Sequence, residues 1–258
     1  MKITSPYTLA LFIATSTLLV TSTSLRASDL DDRIESSAKK SHVFKTYLKD
    51  DSIKTESENG VVTLTGTVSE ASHKSLAENT VESLPGVISV DNQLKIKAGS
   101  PPEHSDAWVS TKVKSTLLFH RNVSATGTDV YVKDGVVSLR GEASSQAQKD
   151  LTEEYAKDVE GVKAVKNELT VATTPAKETI GEKIDDASIT AQVKSSLMFH
   201  RSTSALKTKV ATQDGVVTVS GIAKNDAERS LVTKLISDIN GVTSVINNMT
   251  IAVPVATK

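Results

Sequence analysis

The sequence predicts an α+β chain of three tandem α-β-β-α-β units, each a small three-stranded mixed sheet with two helices on one face. Three observations carry this reading. A glycine frame occurs three times, an Asn-Gly or Asp-Gly pair joins two short alternating runs in every copy, and apolar residues recur every four positions on either side of that pair. With Gly60, Gly135 and Gly215 as anchors, a second glycine follows six residues on (Gly66, Gly141, Gly221) and a third twenty later (Gly86, Gly161, Gly241). An asparagine stands six further (Asn92, Asn167, Asn247), and the copies are offset by 75 and then 80 residues. That period exceeds solenoid repeats, so each copy is predicted to be a small domain.

Each unit opens with a helix. Val109, Val113 and Leu117 form one apolar stripe in the second copy, and Ile189, Val193 and Leu197 in the third. The first copy has Ile34 and Ala38 and then His42, the weakest stripe of the three. Next come two strands, as in "TDVYVKDGVVSLRG", joined at a dipeptide that favours positive φ and hence a tight, twist-compatible turn. A second helix follows, with Ala147, Leu151, Tyr155 and Val159 in phase and matched by Ala227, Leu231, Leu235 and Ile239. Ser145 with Gln148 and Asn225 with Glu228 read as capping boxes. Gly161 or Gly241 then fits a left-handed helix stop before a last strand such as "VKAVKNELTV". The hairpin strands should pair antiparallel, while the crossover helix should make the second and third strands parallel. The glycines are therefore expected to determine the fold through backbone geometry.

Residues 1–27 read as a signal peptide: Lys2, an apolar run from about Tyr7 to Val20, then small polar residues, with cleavage expected after Ala27. The units are placed at 28–98, 104–173 and 182–253, the linkers at 99–103 and 174–181, and a tail at 254–258. The expectation is an exported, periplasmic protein with no transmembrane span after signal cleavage. There is no cysteine, so stability must come from packing and backbone hydrogen bonds. Without the leader, 28 basic residues stand against 31 acidic ones, a balance that argues against nucleic acid as a partner.

The glycine frame, with "GVVTLTG", "GVVSLRG" and "GVVTVSG" followed by "GVISVDNQLKI", "GVKAVKNELTV" and "GVTSVINNMTI", resembles the BON domain family, named from bacterial osmotic-stress and nodulation proteins. The resemblance covers nearly all of the chain after the leader and is closest in plan to periplasmic, osmotically inducible members, although three units exceed the two expected of them. It implies the same order of helices and strands. It also implies a non-enzymatic cell-envelope role in osmotic stress, with phospholipid binding as the activity usually proposed.

No catalytic constellation is apparent. His42, His73, His104, His120 and His200 are scattered without a second ligand at helical or hairpin spacing, and neither a nucleophile elbow nor a phosphate loop is present. The chain is expected to be no enzyme and to need no cofactor or metal. The most informative further repetition is "VKSTLLFHR" against "VKSSLMFHR". Lys114, Phe119, His120 and Arg121, with Lys194, Met198, Phe199, His200 and Arg201, are the candidate lipid-binding residues: arginine and lysine against a phosphate, the apolar side chains among acyl chains. The same residues also fit a plain helix end, with the phenylalanine closing the core and the basic groups facing the terminal carbonyls. The first unit has Phe44, Lys45 and Thr46 there, so its motif is incomplete.

Charge adds a gradient. Residues 28–98 hold 9 basic and 12 acidic groups, 104–173 hold 9 and 10, and 182–258 hold 9 and 7, so the third unit is the one expected at an anionic bilayer. Trp108 fits either an interfacial anchor or half-buried packing. The expected partner is an anionic phospholipid surface, held weakly and peripherally. The alternative is other envelope proteins, bound by a chaperone-like module through exposed sheet edges.

Overall fold

The computed structural model describes residues 22–99, 101–123, 125, 127–172, 183–203 and 208–252, with side chains from Asp29 onward. Most of the expected signal peptide, the second linker and the tail lie outside the described residues. The expected cut after Ala27 falls within the first helix, which begins at Ser22.

The second unit runs α4 (Asp106–Phe119), β5 (Thr128–Lys133), β6 (Val136–Ala143), α5 (Gln146–Lys157) and β7 (Ala164–Val171). The third repeats this order as α6 (Asp186–Phe199), β8 (Thr208–Gln213), β9 (Val216–Ala223), α7 (Asp226–Ser237) and β10 (Ser244–Ile251). In both, the middle strand of the sheet pairs antiparallel with its hairpin partner and parallel with the last strand, as predicted. The first unit keeps this plan in α1 (Ser22–Lys40), α2 (His42–Thr46), β1 (Ser52–Glu58), β2 (Val61–Val68), α3 (Ala71–Glu82), β3 (Ser89–Asn92) and β4 (Lys95–Ile96). Its last strand is in two pieces, both parallel to β2.

Its opening helix is also in two pieces, and here the side chains supply the reason. Ser41 takes an extended conformation; its hydroxyl donates to the Ala38 carbonyl (2.8 Å) and accepts from the Phe44 amide (3.3 Å), ending α1 and starting α2. The break shifts the apolar phase by one position, so Val43 is the buried residue where the regular spacing pointed to His42.

The hairpin turns have positive φ at both central residues, as in Asn59 (53°) and Gly60 (78°). An aspartate of each opening helix, in the first turn of α4 and α6 and in the middle of α1, holds them, a contact the sequence did not suggest. Asp106 accepts from the Asp134 and Gly135 amides (2.7 and 2.8 Å), and Asp186 from those of Asp214 and Gly215 (2.7 and 2.8 Å). Asp31 accepts from Asn59, Gly60 and the Ser57 hydroxyl, and these bonds hold its carboxyl below the ordinary aspartate value, the Ser57 bond foremost.

The framework asparagines tie the last strand to the second helix. Asn167 donates to the Lys149 carbonyl (2.9 Å) and accepts from the Leu169 amide (3.3 Å); Asn92 and Asn247 do the same in their units. The third glycines have positive φ but do not stop the second helices: α5 and α7 end at Lys157 and Ser237 with Asp158 and Asp238 in right-handed conformation, and Gly161 and Gly241 follow one turn later, where a Cβ would meet the opening helix at 2.9 Å from Val109 and from Ile189. Ser145 and Asn225 cap as expected. Their glutamine and glutamate partners reach one residue further back than a capping box requires, to the Ser144 and Lys224 amides.

The helices meet inside and the sheets lie outside. Helix α6 is buried on nearly every side because α3 of the first unit and α4 of the second both pack on it, in addition to its own β8 and α7. Its start carries a shared cap: Asp185 accepts from the Ser188 amide (2.9 Å) and from the His42 amide of the first unit (2.8 Å), while the Ser188 hydroxyl accepts from the Val43 amide (3.0 Å). The apolar cores of the units are thereby continuous.

Candidate functional site

The two copies of Phe-His-Arg come together at a joint between the second and third units. Each chain segment leaves its opening helix in extended conformation at the histidine (φ −93°, ψ 134° at His120; φ −80°, ψ 123° at His200) and crosses to the other unit. His120 forms an antiparallel bridge with Ile239, and His200 forms one with Val159. Four backbone bonds close the joint reciprocally. The Arg121 amide donates to Asp238 (3.0 Å) and Asn240 donates back to Phe119 (2.9 Å); Arg201 donates to Asp158 (3.0 Å) and Glu160 donates back to Phe199 (3.0 Å).

The arginines act on the same helix ends. Arg121 Nη2 lies 2.7, 2.9 and 2.6 Å from the carbonyl oxygens of Ser237, Ile239 and Val242, at the end of α7. Arg201 Nη2 reaches those of Val159 and Val162 beyond α5 at 3.5 and 3.3 Å. A cation therefore sits at the carbonyl end of a helix and on the turn that follows it, and the helix belongs to the neighbouring unit rather than to the arginine's own.

The aromatic side chains fill the space between. Phe119 is 2% exposed and meets Tyr47 of the first unit edge-on, with ring centres 5.2 Å apart. Phe199 is likewise buried. His120 is 2% exposed, stacks on Tyr155 at 3.8 Å between centres, and lies 3.2 Å from the Ser196 hydroxyl through Nε2. The Tyr155 hydroxyl donates to Asp238 (2.6 Å). His200 accepts from the Ser202 amide at Nδ1 (3.1 Å) and places Nε2 3.5 Å from the Asp158 carboxylate.

The first unit is excluded from this pairing on both sides. Thr46 stands where the arginine would be, and Pro85 stands where Glu160 and Asn240 donate their amides. Proline has no amide hydrogen to give.

The sequence matches the BON domain over three stretches, residues 30–98, 105–173 and 185–253. The chain belongs to the BON domain family. It is 33% identical over 145 residues to the osmotically-inducible protein Y of Escherichia coli strain K12, an alignment covering 56% of this chain and 71% of that protein. The 21 kDa hemolysin of Actinobacillus pleuropneumoniae is 35% identical over 109 residues, 42% of this chain and 56% of its own length. The outer membrane lipoprotein DolP of Haemophilus influenzae is 29% identical over 147 residues, 56% of this chain and 74% of that one.

Of the residues singled out as lipid-binding, the second and third BON units give Phe119, His120, Phe199 and His200 to their mutual joint and direct Arg121 and Arg201 onto carbonyls. Lys194 pairs with Glu82 of the first BON unit at 2.7 Å. Lys114 and Met198 point outward. Trp108 is half-buried under the Lys112 ammonium, which sits 3.6 Å above its ring and 3.0 Å from Glu160.

Among the described residues no cluster of three or more metal-ligating side chains is placed to hold an ion, and no helix is long and apolar enough to cross a membrane. In the first BON unit a serine, a histidine and an aspartate do meet. Ser69 and Asp51 both engage Nδ1 of His73, at 3.0 and 2.5 Å, and the Glu70 carboxylate lies 3.4 Å from Nε2.

Proposed function

We propose that this BON protein is a non-enzymatic cell-envelope protein of the osmotic-stress class that rests peripherally on anionic phospholipid, in the periplasm. The relatives support the setting: one is named for osmotic induction and another as an outer membrane lipoprotein. The observation that carries the lipid reading is the outer face of the third unit's sheet. Strand alternation puts Thr218, Ser220, Ile222, Ile246, Asn248 and Thr250 on the side away from the helices, with Lys209 beside them. Ile222 and Ile246 are 49% and 48% exposed. The strands β8, β9 and β10 contain no aspartate or glutamate, whereas both other sheets do. A face of isoleucine, neutral polar groups and one lysine meets no carboxylate repulsion at an anionic surface, and covering the exposed half of each isoleucine contributes about 1 kcal/mol. The surface contact thus falls to side chains outside the joint.

Vesicle flotation tests this. The protein should float with phosphatidylglycerol-containing vesicles at low salt and should remain in solution with purely zwitterionic ones. Ile222→Asp combined with Ile246→Asp should lower recovery about tenfold or more, since each substitution replaces apolar burial by a charge facing like charge. Equal recovery with both vesicle types, or an unaffected double variant, removes the basis for this face.

A further inference from the structure

The joint between the second and third units buries two imidazoles, His120 and His200. His120 Nε2 has the Ser196 hydroxyl, but its Nδ1 has no hydrogen-bond partner among the described residues. A protonated ring carries a donor on both nitrogens, and charging His120 in the closed joint offers the second buried N–H only the Asp238 backbone, outside good hydrogen-bond geometry. The groups around it are Tyr155 from α5, Asp158 just beyond α5, His200 at the end of α6, Asp238 beyond α7, and Arg121 on its own segment. A cleft of about 10 Å³ lies between His120, His200 and Tyr155, at the lower limit of what one water occupies.

We propose that this joint is an acid-operated latch, which holds the second and third units together while the His120 imidazole is neutral and releases them on mild acidification, before either sheet unfolds. The contacts at stake are the reciprocal backbone bonds of Arg121, Asn240, Arg201 and Glu160, which depend on the two units staying docked; the sheet bonds lie within single units.

Burial pushes the His120 imidazole down from its ordinary 6.5 to about 4, and the neighbouring His200 adds to this, while Asp238 opposes both. A histidine whose value is lowered in the closed state stabilises closure fully above 6.5 and loses that contribution as pH falls from 6.5 towards 4. The closing equilibrium therefore weakens about 30-fold between pH 7.5 and pH 5. Asp158 acts in the same sense further down. Its bond with His200 lowers its carboxyl below the ordinary aspartate value, so its contribution to closure also disappears in acid.

Amide hydrogen exchange on the full chain, corrected for the intrinsic pH dependence of exchange, reads the latch directly. Protection at Arg121, Glu160, Arg201 and Asn240 should fall about 30-fold from pH 7.5 to pH 5 while the amides of β6 and β9 keep theirs. In His120→Gln, which cannot take up the proton, the ratio of joint protection at the two pH values should return to near one. Unchanged joint protection at pH 5 overturns the proposal. So does loss of joint and sheet protection together, or a His120→Gln joint that opens at the same pH as the parent.

Discussion

Gly141→Ala should unfold the second unit's sheet at a denaturant concentration well below that of the parent, with a loss of about 3–5 kcal/mol. Gly141 has φ of 122°, and a Cβ there would lie 2.0 Å from the carbonyl oxygen of Gly127 across the hairpin. The first term is backbone strain of about 1–3 kcal/mol for a side chain at positive φ. The second is the clash itself: the obstructing atom is backbone, and it already accepts from the Glu142 amide at 3.0 Å, so it has no soft direction in which to yield. Gly66 occupies the same place against the Ser52 carbonyl, at 1.9 Å. Gly99→Ala separates the two terms, because Gly99 also has positive φ (89°) but meets nothing within 4 Å. Its cost should stay near 1 kcal/mol. Circular dichroism in urea compares the two, and equal destabilisation would remove the clash from the account.

The second large effect is expected from Phe119→Ala, at about 3–5 kcal/mol. Phe119 lies where the three units meet, against Tyr47 of the first unit, with Ser195 and Phe199 of the third lining the same cleft. Removing the ring leaves a cavity bounded by elements from all three units, which cannot collapse without disturbing the shared helix packing. The neighbouring Leu118 is 37% exposed, and Leu118→Ala should cost no more than about 1 kcal/mol. Scanning calorimetry tests the pair. A Phe119→Ala protein that melts like the parent would mean that the ring is not a packed element of the joint.

These two positions show what a sequence makes legible. Gly141 could be assigned to the fold because its signal is local: it recurs six residues after a turn glycine in every unit, and strand geometry alone gives that spacing a meaning. The turn aspartates Asp31, Asp106 and Asp186 were legible in the same way, each 29 residues before a turn glycine. Asp106 and Asp186 were missed because a first-turn aspartate is already accounted for by the helix dipole, and Asp31 because an acidic group in mid-helix is ordinary on an exposed face. Ser41 gave no warning, since serine is ordinary inside a helix stretch and its capping role depends on the third unit drawing Val43 inward.

Phe-His-Arg was visible as a motif but not as a joint. Nothing within one unit distinguishes an arginine that closes its own helix, one that meets a phosphate, and one that reaches another unit's helix end. The useful signal lay in the distribution of the motif. It is present in the second and third units and absent from the first, together with Pro85 in place of an amide donor, as expected for a contact made between two copies only.

The central claim is that the repeated Phe-His-Arg segments dock the second and third BON units onto each other's helix ends. Nuclear Overhauser contacts in the isotopically labelled full chain at neutral pH test it most directly. The account predicts that contacts of the His120–Arg121 backbone with Asp238 and Ile239 will appear together with contacts of His200–Arg201 with Asp158 and Val159. Absence of both sets, in a protein whose β5–β6 and β8–β9 contacts are intact, would contradict it.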